Sequence, residues 1–279
     1  MLSDRVNAVD PTYRLVTRNL SGVKDWDEAG GVTVENQVIA ILLEYGTTVH
    51  LCLDPKHSRF KTVQSEFTRV PESERTIIGS DQEYQVSIPE NRALVESLLE
   101  ISAGETDGWV DRTFYLTEFA ILNGRSWVYR SVPHETHIRE INATEYDEVT
   151  QRLNKALGQV RGSAVVPFDE LVSWTAEAKE YKLDWNALYQ HTGKGGYVGY
   201  DLDRLQHIVV QLSENVLCLS WRSSSEESLA RRTIWRVLDS EAATPPNQIG
   251  LPHGEQGKKV VSALHWLRVN LDYSYDIEG

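Results

Sequence analysis

The stretch FYLTEFAIL-NG-RSWVYRSV, residues 114–132, constrains the fold more than any other. Two β-prone runs flank Asn123-Gly124, a pair suited to a tight turn in which both central residues take positive φ. A type I′ hairpin is expected there. HIVVQL-SEN-VLCLSW, residues 207–221, repeats the pattern. Helical stretches lie between such hairpins without regular βαβ alternation. The expected fold is therefore α+β, with a mixed or antiparallel sheet built from hairpins and helices packed on it.

Other segments are read the same way. GGVTVENQVIAILLEYGTT reads as a helix capped by Thr33 and stopped by Gly46. TTVHLCLDP follows as a strand, RFKTVQSEFTRV as a second strand and TIIGS as a third. PENRALVESLLEISAG is a helix with Pro89 in its first turn. NATEYDEVTQRLNKALGQVRG is a helix capped by Asn142 or Thr144, and SAVVPFDELVSWTAE is ambiguous between strand and helix. The expected ending is two helices, SSEESLARRTIWRVL and GKKVVSALHWLRVNL. Residues 1–31 read as irregular, with a short helix near Thr12–Leu20. No repeat divides the 279 residues, so they read as one domain, with two lobes as the alternative.

Charge narrows the partners. The chain carries 41 acids against 28 bases, a net −13. An acidic field repels nucleic acid and anionic membrane surfaces, which argues against general binding to either. No apolar h-region opens the chain and no apolar run approaches a membrane span, so neither a signal peptide nor membrane insertion is expected. Cys52 and Cys218 lie in apolar runs and read as small buried hydrophobes in a reducing, cytoplasmic compartment.

Several constellations point to chemistry. His134, Glu135 and His137 are dense enough to raise metal binding, but Pro133 disfavours the helix that would converge them. Asp169, Glu177 and Lys179 echo the carboxylates and lysine of metal-dependent nucleases, at cramped spacing. Arg231, Arg232 and Arg236 cluster on one predicted helix and suggest an anion site.

The most suggestive stretch is WNALYQHTGKGGYVGYDLDRL, Trp185 to Leu205. Lys194 is followed by glycine, so it is no P-loop. LDWNALYQ places Trp185, Leu188 and Tyr189 at helical spacing. Gly193, Lys194, Gly195 and Gly196 form a turn able to cradle an anion. GYVGYDLD then reads as a strand whose central Gly199 marks a bulge or a close approach.

VSWTAE, DWNALY and GGYVGYD in this order resemble the most distinctive block of domain-of-unknown-function family 2971. Trp185 and Tyr189 stand for its Trp-x-x-Tyr pair at one residue longer spacing, Tyr200 for its usual Phe, and Asp201 for its Asp. The resemblance covers about 35 residues, and the family's Asn-Asp-Pro turn is absent. It implies a prokaryotic, defence-related setting with no generally assigned activity. It also invites comparison with ADP-ribosyltransferase-like folds, in which Glu177 or Glu118 would stabilise the ribosyl cation. Two functions are carried forward. The first is a binding or effector domain with a protein partner. The second is a nucleotide-using transferase, with Glu177 and Asp201 catalytic and Trp185, Tyr189, Lys194, Gly195, Gly196, Tyr200, Arg231 and Arg232 binding the nucleotide. No cofactor is assigned.

Overall fold

The structure, a computed structural model, describes residues 11–18, 31–54, 56, 59–75, 82–99, 116–133, 139–143, 147–193, 196–222 and 244–279. It gathers into two compact units, Met1–Phe168 and Asp169–Gly279. The architecture is α+β: antiparallel sheets with helices packed on them.

The first unit is built on one antiparallel sheet of eight strands: β1 (Tyr13–Thr17), β2 (Thr48–Leu53), β3 (Thr68–Arg69), β4 (Glu83–Ser87), β5 (Leu116–Asn123), β6 (Ser126–Ser131), β7 (Arg139–Ile141) and β8 (Ser163–Pro167). Their order is β3-β4-β2-β5-β6-β7-β1-β8. On one face Val49, Leu51, Leu53, Phe119, Ile121 and Tyr129 form a core with the helices. Helix α1 (Gly31–Glu44) buries Val34, Val38 and Leu42, spaced by one helical repeat. Helices α2 (Arg59–Glu66), α3 (Ile88–Leu99) and α4 (Asp147–Leu157) are the other helices of the unit among the described residues. In α4, Val149, Leu153 and Leu157 are fully buried at the same spacing.

Several expectations change here. Tyr13–Thr17 is a strand, not a short helix, because it pairs with both β7 and β8. RFKTVQSEF is helical over Arg59–Glu66; its apolar residues recur every three to four positions, and only Thr68–Arg69 is extended. Thr33 lies inside α1, which begins at Gly31. Asn142 is no cap either: its amide donates to the Trp127 carbonyl at 3.2 Å, and α4 begins at Asp147. TIIGS, Thr144 and the SSEESLARRTIWRVL segment lie outside the described residues.

Gly46 follows the end of α1 as expected, for a steric reason. A Cβ there would stand 2.3 Å from Ile121 Cγ2 and 2.9 Å from Ile88 Cδ1. The first hairpin forms with its turn one residue on. Asn123 pairs with Ser126, so Gly124 and Arg125 are central, and only Gly124 takes positive φ. That is the glycine-first pattern of a type II′ turn, not type I′.

The second unit holds two sheets. Strands β9 (Val172–Ala176), β10 (Lys179–Leu183), β11 (Ala187–His191) and β12 (Tyr197–Asp201) form an antiparallel meander. Strands β13 (Leu205–Gln211) and β14 (Val216–Trp221) form the second expected hairpin. The short strand β15 (Gln248–Gly250) joins β14 antiparallel, and β16 (Asp276–Glu278) joins β13 in parallel. Helix α5 (Glu255–Asn270) buries Val260, Leu264 and Leu267. The Tyr275 hydroxyl donates to the Leu264 carbonyl at 2.8 Å. SAVVPFDELVSWTAE resolves into two strands, β8 and β9. Cys52 and Cys218 form no disulfide and are half-buried rather than buried.

Candidate functional site

LDWNALYQ is not a helix. Ala187–His191 is strand β11, and Trp185 sits in the turn before it. Eight residues with helical spacing are too few to hold a helix alone, and pairing on both sides decides for a strand. The register sets Lys182 against Tyr189 and Tyr189 against Gly199; it also sets Leu183 against Leu188 and Leu188 against Tyr200. Side chains alternate across a strand, so Tyr189 and Tyr200 fall on opposite faces of the meander.

The inner face is buried. Trp174 stacks on Tyr181 at 5.3 Å, and its indole N–H donates to the Gly250 carbonyl at 3.0 Å. Leu183, Leu188 and Tyr200 continue this face, and the Tyr200 ring lies 6.1 Å from that of Trp221. Burial raises the phenols of both Tyr181 and Tyr200 above their ordinary range, and the Glu177 carboxylate adds to the effect at Tyr181.

The outer face is aromatic and charged. Tyr197 is 41% exposed and lies edge-on to His191 at 5.1 Å. Its hydroxyl reaches across β11 to donate to Glu180 Oε2 at 3.1 Å. Lys182 Nζ sits 5.1 Å from the same ring centroid and 3.4 Å from Glu170 Oε2. Tyr189 covers Gly199, where a Cβ would stand 2.9 Å from its Cε1. Gly199 therefore marks a close approach, and the group approaching is this ring.

The residues expected from sequence are distributed over this frame. Trp185 is half-buried, and its carbonyl accepts a hydrogen bond from the Tyr273 hydroxyl at 2.7 Å. Asp201 caps the 3-10 turn Leu202–Arg204, its carboxylate accepting from the Asp203 amide at 2.8 Å. Glu177 is exposed in the β9–β10 turn with φ of 50°, beside Ala178 at 60°. Gly196 closes the β11–β12 loop, its carbonyl accepting from the Thr192 amide at 2.9 Å. Lys194, Gly195, Arg231, Arg232 and Arg236 lie outside the described residues, as do His134, Glu135 and His137. Asp169 is exposed, and among the described residues no group of three or more His, Cys, Asp or Glu side chains is placed to hold a metal ion.

Of the ionisable groups that the first unit brings together, sequence reading named only Glu118. On the sheet face away from the helical core, His50 Nδ1 lies 2.7 Å from Glu83 Oε1, both buried. Arg130 Nε donates to Glu118 at 2.7 Å, and its Nη1 lies 3.5 Å from Glu140. Burial pushes the Glu118 carboxyl above its ordinary value against the Arg130 hydrogen bond, and the Glu83 and Glu140 carboxylates push it the same way. On the core face, Arg139 pairs with Glu35 of α1, both buried. The signal available in sequence was a polar residue at alternate positions of β2 and β4 and single charges within β5 and β6, interpretable only once their register is known. Lys182, Glu180 and His191 were overlooked for the same reason.

Compared with family models, with curated proteins and with solved structures, the chain matches none of them. Function therefore rests on the geometry above. Among the described residues no helix is long and apolar enough to cross a membrane.

Proposed function

We propose that the chain is an intracellular binding protein that acts through the outer face of its second-unit meander, without chemistry of its own. The observation that carries this reading is the grouping of Tyr189, His191 and Tyr197 with Lys182 and Glu180 on one solvent-facing sheet surface. Aromatic side chains with polar tips supply contact area at low entropic cost, and the Lys182–Glu170 pair and the Tyr197–Glu180 hydrogen bond fix orientation. The opposite orientations of Tyr189 and Tyr200 weigh against one nucleotide pocket lined by both. Two cysteines outside any disulfide accord with a reducing compartment.

A thermal-shift screen tests this reading, since a ligand of the folded state raises the melting temperature by mass action. NAD, nucleotides, divalent cations and short DNA are expected to leave it unmoved. A peptide array probed with the intact chain is expected to give sequence-specific signal that falls at least tenfold in Tyr197→Ala. A melting shift with NAD would sink the binding reading in favour of the transferase. The observation favouring that second reading is Glu118, a largely buried carboxylate held above its ordinary pKa, the kind of group that marks functional sites.

A further inference from the structure

The outer edge of the meander has an unusual composition. Strand β12 lies at one end of the order β12-β11-β10-β9. Two hydrogen bonds, Thr192 N–H to Gly196 O at 2.9 Å and Leu202 N–H to Asn186 O at 3.0 Å, fix the phase of the β11–β12 ladder. Bonded pairs alternate along an antiparallel ladder. Val198 and Tyr200 therefore turn their backbone groups towards β11, and Tyr197 and Gly199 turn theirs away. Among the described residues neither of these two has a backbone partner on that side.

Exposed edges are usually blunted by lysine, proline, a bulge or a covering element, because an open row of N–H and C=O groups templates another strand. Tyr197–Tyr200 has no lysine and no proline, and its register runs without a bulge. The opposite edge shows the contrast: the outward carbonyl of Ser173 on β9 accepts from Gln256 of α5 at 3.3 Å. At the centre of the β12 edge, Gly199 is exposed and has no side chain to hold another backbone off. Charge selects the occupant. The chain carries −13; beside Tyr197 the charge of Lys182 is matched by Glu170, so Glu180 and Asp201, at the end of the strand, make the outer face near this edge net negative.

We propose that the β12 edge receives an extended, positively charged peptide segment of a partner protein as a fifth strand of the meander. This rests on the binding reading above and names its partner class. Main-chain hydrogen bonds to Tyr197 and Gly199 supply the ladder, and basic side chains meet the carboxylates on the outer face.

The test uses the full chain and three labelled octapeptides: alternating arginine and threonine, alternating glutamate and threonine, and the arginine peptide N-methylated at every second residue. Anisotropy titration is expected to show the arginine peptide binding at least tenfold more tightly than the other two. Amide exchange at Tyr197 and Gly199, fast in the free chain, is expected to slow when it binds. Equal binding of the N-methylated peptide reduces the interaction to charge alone and overturns the proposal. Slow exchange in the free chain at all concentrations means that the edge is already covered, and also overturns it. So does slowing that rises with protein concentration alongside a dimer mass, which makes the occupant a second copy. Tyr197→Pro removes one outward N–H and is expected to bind tenfold more weakly than Tyr197→Ala; should the proline variant not fold, the exchange measurement decides. If Tyr197→Ala abolishes array signal while these amides never slow, the edge proposal falls and the binding reading stands. No response to any peptide removes both.

Discussion

The Tyr189 ring lies against Gly199 on the neighbouring strand, so closely that a Cβ at 199 would stand 2.9 Å from Tyr189 Cε1. An aromatic ring laid over a strand glycine covers the gap left by the absent side chain, and it makes each residue a condition for the other. Gly199→Ala is expected to destabilise the chain by about 1–3 kcal/mol, the usual penalty for overpacking. Combining it with Tyr189→Ala is expected to recover at least about 0.5 kcal/mol relative to the sum of the single changes, since residues in contact couple. Urea unfolding of the four proteins closes the cycle.

Glu177 and Ala178 both hold left-handed backbone in a two-residue turn, since Ala176 pairs directly with Lys179. Non-glycine residues pay about 1–2 kcal/mol for that conformation, and Asn-Gly adopts it readily. Glu177→Asn with Ala178→Gly is expected to raise stability by about 1 kcal/mol in urea titration, on the same ground. It also removes the Glu177 carboxylate. If the chain binds without catalysing, peptide-array signal is unchanged; if Glu177 is catalytic, a gain in stability accompanies a loss of activity.

Glu35 and Arg139 form a buried ion pair between α1 and β7. Removing one partner strands the other charge away from water. Arg139→Met alone is expected to cost about 3–5 kcal/mol, whereas Glu35→Leu with Arg139→Met is expected to return most of it. Denaturant midpoints of the single and double variants give the comparison. A double variant as unstable as the single one would show that the pair contributes more than mutual neutralisation.

Glu118 ties stability to pH. Its folded-state pKa is raised, chiefly by burial, so the native state holds this proton over a window in which the unfolded chain has released it. Stability then falls as pH rises from the ordinary glutamate value, about 4.3, through the raised one. Below that window the contribution is fully present. Glu118→Gln cannot titrate, so the stability of the native protein relative to this variant is expected to decline as pH rises above the ordinary glutamate value. Paired urea titrations at several pH values measure it, and a flat difference contradicts the assigned direction.

The parts of the fold legible in sequence were those whose partners lie nearby. Both hairpins were visible because each strand meets its mate within a few residues. Helices α1, α3, α4 and α5 were visible because their apolar stripes run for about three turns or more. Residues Tyr13–Thr17 were not, since YRLVT becomes a strand only through β7 and β8, far along the chain. Trp185, Leu188 and Tyr189 misled because their spacing of three and four fits a helix over five residues. What decides otherwise is the strand YVGYD, which pairs with Leu188 and Tyr189 from one side while β10 pairs with them from the other. At the candidate site, Tyr189 stood out as an aromatic in an odd block. Lys182, Glu180 and His191 join it only through register across three strands, which no local pattern encodes.

The position of β1 in the large sheet has a consequence for how the chain is made. It is the first described strand to be synthesised, yet it sits between β7 and β8, and the hydroxyl of neighbouring Thr12 bonds the Ile141 carbonyl 129 residues away. A ribosome releasing the chain from its N-terminus delivers β1 long before either neighbour exists. Until Arg139–Ile141 emerges, that segment has no strand to pair with, and its other side stays open until Ser163–Pro167 follows. Closure of such distant pairings is slow, and an open edge is most exposed to aggregation meanwhile. Yield of soluble protein is therefore expected to depend on translation speed across the second half of the first unit and on chaperones that shield a waiting strand.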